Sequence, residues 1–108
     1  MLLLNEITIE RGNTVRFLVK FTDFEGNPIN PDVTAFKVYD RKHTELSSNE
    51  MVKIEPGNKE KVGMYYYFYT PEKDGDYTIE LYGLIDNKPS LIRKKVLVVF
   101  DGTTIWSY

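Results

Sequence analysis

The stretch VGMYYYFYTPEKDGDYTIELYG, Val62 to Gly83, decides the fold. Its first half, GMYYYFYTP (Gly63 to Pro71), is dense in aromatic residues, which favour a pleated strand, and is punctuated by Gly and Pro. Successive strand residues point to opposite faces, so Tyr65, Tyr67 and Tyr69 share one face and Met64, Tyr66 and Phe68 share the other. A half-buried strand should alternate apolar and polar residues, and this one is apolar on both sides. The second half, DYTIELYG, does alternate, with Tyr77, Ile79 and Leu81 against Thr78, Glu80 and Tyr82. Between the two, Asp74-Gly75 followed by Tyr77 reads as a tyrosine corner, in which the phenol bonds back to the chain.

Outward from this stretch the same pattern recurs. EITIE (Glu6 to Glu10) predicts a first strand, and TVRFLVKFTD a second with Val15, Phe17, Val19 and Phe21 on the inner face. After the loop FEGNPINPD, the segment VTAFKVYD predicts a third strand with Phe36 and Val38 inward. RKHTELSSNE (Arg41 to Glu50) reads as a loop or short edge strand, and MVKIEP as a further short strand. DNKP (Asp86 to Pro89) forms a hairpin tip leading into LIRKKVLVVF, with Val96, Val98 and Phe100 inward and Leu97 and Val99 outward. About seven short strands separated by turns predict an all-β fold, a two-sheet antiparallel β-sandwich. One domain is expected over residues 1–108, its core spanning about 5–100, with apolar terminal segments at 1–4 and 101–108.

Composition narrows the function classes. With 42% hydrophobic and 28% charged residues the chain has globular rather than disordered composition. Fourteen basic and sixteen acidic residues leave a net charge of −2. Arg93, Lys94 and Lys95 alternate across a strand and form no single patch, so neither nucleic acid nor a membrane is expected as a partner. The absence of cysteine removes disulfides and thiolate metal sites. The start MLLLNEITIERG lacks the basic residues and the apolar length of a signal peptide.

Little points to catalysis. His43, the sole histidine, lies in a polar stretch with no nucleophile or orienting partner signalled, and reads as a surface residue. No spaced carboxylate pair, phosphate loop or metal-binding spacing appears. Asp23, Glu25, Asn27, Asn30 and Asp32 hold enough oxygen ligands for calcium, but their loop lacks EF-hand spacing and carries two prolines. Turn formation explains the same residues. No enzyme activity, metal or cofactor is expected.

ERGNTVRFLVKFTDFEGNPINPD together with VGMYYYFYTPEKDGDYTIELYG resembles the bacterial and phage Ig-like domains, over roughly Glu10 to Phe100. The shared pattern is a G-x-T-V strand entry, a D-x-x-G-N-P loop, G-x-Y leading to T-P, and D-G-x-Y. The resemblance implies an Ig-like sandwich with Tyr65, Tyr67 and Tyr69 inward. It also implies a small structural protein of a tailed-phage virion, of capsid or tail, assembled in the host cytoplasm.

On that reading Met64, Tyr66 and Phe68 face outward, joined more weakly by Leu97 and Val99. Leu2, Leu3 and Leu4 at one end and Ile105, Trp106 and Tyr108 at the other add apolar surface. Exposed apolar patches mark contact sites, and burying three such side chains contributes about 1.5–3 kcal/mol each before association costs. The expected partners are other protein subunits or a second copy. The alternatives are a carbohydrate-binding or adhesion module stacking sugars on the exposed tyrosines, and an accessory domain of a larger surface protein or enzyme.

Overall fold

The computed structural model describes residues 6–100. The strands are β1 (Glu6–Glu10), β2 (Val15–Lys20), β3 (Val33–Tyr39), β4 (Glu45–Asn49), β5 (Val52–Lys53), β6 (Met64–Tyr69), β7 (Gly75–Ile85) and β8 (Lys88–Val99). A 3-10 turn over Lys59–Lys61 precedes β6. Five strands form one sheet in the order β1-β8-β7-β3-β4, and three form a second in the order β2-β6-β5. The all-β, two-sheet architecture follows the alternation of the sequence, with one departure. β1 runs parallel to β8, from Glu6 opposite Lys95 to Glu10 opposite Val99, so the sandwich is not wholly antiparallel. A parallel pair needs a long crossover, and here most of the chain lies between its two strands.

The two sheets meet through their inner faces. Phe36 of β3 is fully buried at the centre. Its ring stacks on Tyr67 at 4.6 Å and lies 5.4 Å from Phe17 and 5.6 Å from Tyr69. Tyr65 meets Phe21 edge-on at 5.7 Å. Tyr65, Tyr67 and Tyr69 therefore all turn into the core, which Ile79, Leu81, Val96 and Val98 complete from the larger sheet. Offset and edge-on ring pairs of this kind add to the burial of their area.

Local chemistry fixes the turns. Asp86 and Asn87 lie at φ 52° and 62°, the two left-handed positions of a two-residue hairpin turn. That turn sets the register of the long β7–β8 hairpin, which runs from Ile85 opposite Lys88 to Gly75 opposite Val98. At the β6–β7 corner the Tyr77 hydroxyl donates to the carbonyl of Lys73 at 3.0 Å, with that of Asp74 at 3.3 Å. Asp74 also pairs with Arg11 at 3.4 Å.

One strand reading is corrected. Phe100, expected to face inward, is 61% exposed. β8 ends at Val99, whose carbonyl accepts from the Arg11 amide, so the alternation stops one residue short. The Phe100 ring lies beneath the Arg11 guanidinium instead, 4.3 Å from it. Glu80 does take an outward position on β7, yet it is only 3% exposed.

Candidate functional site

The outer face of the three-stranded sheet carries an apolar row along β6 and its neighbours. Its residues follow from strand register: Tyr66 of β6 stands between Leu18 of β2 and Val52 of β5, Phe68 opposes Arg16, and Met64 opposes Lys20. Leu18, Val52 and Phe68 are about half exposed, and Tyr66 and Met64 partly so. The Tyr66 and Phe68 rings meet edge-on at 5.4 Å, forming a small aromatic ridge. Arg16 and Lys20 are exposed and give the patch a cationic rim along β2. The sheet is only three strands wide, and apolar residues fill its middle row.

The structure separates residues that the sequence reading grouped. Leu97 and Val99 do face outward, but on the five-stranded sheet, on the opposite side of the molecule. They sit half-buried beside Thr8 and Glu10 of β1, so they do not extend the Tyr66–Phe68 surface. Leu2, Leu3, Leu4, Ile105, Trp106 and Tyr108 lie outside the described residues.

The loop considered for calcium is committed to backbone. Asp23 Oδ1 accepts from the amides of Glu25 and Asn27, both at 2.9 Å. The Asn27 amide is the main cause that holds the Asp23 carboxyl below its ordinary range, against a smaller opposing effect of desolvation. Asn30 Oδ1 accepts from the Gly63 amide at 2.8 Å, tying this loop to the start of β6. Among the described residues no group of three or more His, Cys, Asp or Glu is placed to hold a metal.

A second surface escaped the sequence reading. On the outer face of the five-stranded sheet, register aligns Arg93, Glu80 and Lys37 in one row and Lys95, Thr78 and Tyr39 in the next. The Glu80 carboxylate is buried beneath the larger side chains of this face. Arg93 Nε donates to its Oε2 at 2.8 Å, and the Tyr39 hydroxyl lies 3.4 Å from its Oε1. Desolvation, and then the neighbouring Glu80 charge, raise the Tyr39 phenol above its ordinary value. Lys37 lies over the Tyr82 ring at 4.9 Å. Above the cluster Tyr39, His43, Thr78 and Arg93 line a trough of about 320 Å³. His43 reaches it because Asp40 clamps the β3–β4 turn, its Oδ1 accepting from the Lys42 and Thr44 amides. His43 itself takes a left-handed φ of 67°.

The pairing of Glu80 with Arg93 could have been read from the sequence. A two-residue turn at Asp86-Asn87 places residues at equal distances either side of it opposite one another, and these two are such a pair. Tyr39 and His43 depend on the β3–β7 register and on a β-bulge after Val38, which no local signal supplies.

No protein-family model and no curated protein matches the chain.

Proposed function

We propose that the chain is a non-catalytic Ig-like module that docks on a larger protein assembly through the outer face of its three-stranded sheet. The observation that carries this is the Leu18–Val52–Met64–Tyr66–Phe68 surface, aromatic at its centre and cationic at its β2 rim. Aromatic and Met side chains are enriched in the cores of protein interfaces, and charges at their rims.

The Ig-like assignment draws support from the strand order. Neighbours β8-β7-β3 with β4 beyond, facing β2-β6-β5, correspond to the GFC-plus-C′ and BED groupings of Ig sandwiches. The phenol-to-backbone bond of Tyr77 falls at the start of β7, where those folds carry their tyrosine corner. The sequence motifs favour a tailed-phage virion as the assembly, with the chain a capsid or tail accessory protein. Fold and motif bear on this by analogy, since Ig-like sandwiches serve many roles.

The test is the solution mass and stability of the wild type and of Tyr66→Ser/Phe68→Ser, by light scattering and urea unfolding. The expected result is concentration-dependent association of the wild type and a monomeric double variant of near wild-type stability. A monomeric wild type whose double variant loses several kcal/mol would mean that the face is already buried within the chain, and would overturn the reading.

A further inference from the structure

Among the described residues the three-stranded sheet ends at β2, whose far edge pairs with no strand. The Phe21 amide donates to the Gly63 carbonyl at 2.8 Å, in step with the β2–β6 ladder. Backbone groups alternate sides along a strand, so Val15, Phe17 and Val19 turn theirs to β6. Arg16, Leu18 and Lys20 turn theirs to the open edge. All three are exposed, and none makes a hydrogen bond across that edge with a described residue. A row of unpaired amides and carbonyls is a template for one more strand.

A strand seated there has two faces to satisfy. On the outer face it meets Arg16, Leu18 and Lys20. The strands of this sheet, VRFLVK, MYYYFY and VK, contain no acidic residue. Neither Arg16 nor Lys20 has an ion-pair partner among the described residues. On the inner face the sandwich is open beside β2. Ile92 of β8 stands opposite the buried, inward Leu81, yet it is 49% exposed. A cleft of about 100 Å³ lies between it and Val19. β1 pairs with β8 only from Lys95 onward and leaves this gap uncovered.

We propose that β2 accepts an extended segment of the partner protein, laid antiparallel, with acidic residues opposite Arg16 and Lys20 and an apolar one opposite Leu18. The side chain opposite Val19 points inward, is apolar, and fills the cleft against Ile92. The charges argue against a second copy in this role. The register of β2 on itself that pairs all three residues sets Arg16 against Lys20 twice, and like charges directly opposite repel. The inference rests on the docking reading and deepens it, because the edge borders the Tyr66–Phe68 surface and one partner covers both.

Amide hydrogen exchange and shift titration of the full chain test the proposal, with a capped Ser-Glu-Val-Leu-Thr-Glu-Ser peptide as probe. In the free chain the Phe17 and Val19 amides are expected to exchange slowly, and those of Arg16, Leu18 and Lys20 fast. Saturating peptide slows the latter three by about tenfold or more. N-methylating the peptide's leucine removes its donor to the Leu18 carbonyl while keeping every side chain, and weakens binding at least about tenfold. Replacing both glutamates by lysine weakens it by about the same factor, and Arg16→Glu/Lys20→Glu reverses that preference. Tyr66→Ser/Phe68→Ser removes the docking face but keeps the edge, and is expected to bind the peptide within about twofold of the wild type. Self-association that this variant abolishes, with no peptide bound, keeps the docking face and overturns the edge alone. The proposal is also overturned if the N-methylated or lysine peptide binds as tightly. Protection of the same three amides as the free chain is concentrated would place a second copy on the edge, and overturns it too.

Discussion

Gly63 sits at φ 84°, with the carbonyl oxygens of Phe21 and Ile29 where a Cβ would stand. Its amide donates to Asn30 Oδ1 and its carbonyl accepts from the Phe21 amide. A side chain at this position is strained by the left-handed backbone and also strikes main-chain atoms, which cannot rotate away. Gly63→Ala is therefore expected to cost about 3 kcal/mol, the sum of a backbone penalty and a steric one. Chemical denaturation measures it, and a loss below about 0.5 kcal/mol would show that the loop yields. Gly12, where a Cβ meets nothing, is the control: Gly12→Ala carries only the backbone part.

At the scale of elements, the β7–β8 hairpin shows what was legible and what was not. Asp86-Asn87 between two alternating runs marks a tight turn, and that turn alone gives the register along both strands. The inward sets Tyr77, Ile79, Leu81, Val96 and Val98 follow by counting in twos. Alternation does not report where a ladder stops: it places Phe100 inside, whereas β8 ends before it. Nor does it distinguish an outward residue in solvent from one roofed by its neighbours, as Glu80 is. The candidate surfaces divide the same way. Met64, Tyr66 and Phe68 share one face of a single strand, which local counting reaches. Joining Leu97 and Val99 to them needed the sheet order, a non-local property. The turn itself can be improved: Asn87 tolerates its φ of 62°, but glycine adopts it freely. Asn87→Gly is expected to raise stability by about 0.5 kcal/mol, whereas Asn87→Val, β-branched in a left-handed site, lowers it by about 1–2 kcal/mol. Thermal unfolding of the two variants distinguishes them by the sign of the change.

For the molecule as a whole, the tyrosine content of the sandwich makes alkaline pH its point of weakness. Burial raises the phenols of Tyr65 and Tyr69 above the ordinary value of 10.0, and desolvation with the Glu80 charge does so for Tyr39. In the unfolded chain these groups ionise near pH 10, while in the folded one they stay neutral to higher pH. Below about pH 10 both states keep their protons, and the stability tied to these groups is fully present. As the pH rises further the unfolded state loses protons first, so stability falls progressively until the folded phenols ionise as well. The urea midpoint is thus expected to be level between about pH 8 and 9.5 and to decline above about pH 10, with part of the tyrosinate absorbance appearing only as the fold is lost. Tyr69→Phe removes one of the three groups and should flatten that decline, whatever it does to the midpoint at neutral pH. A wild-type midpoint that held constant through about pH 11 would mean that the core phenols titrate as freely folded as unfolded, and that the aromatic layer around Phe36 is open to water.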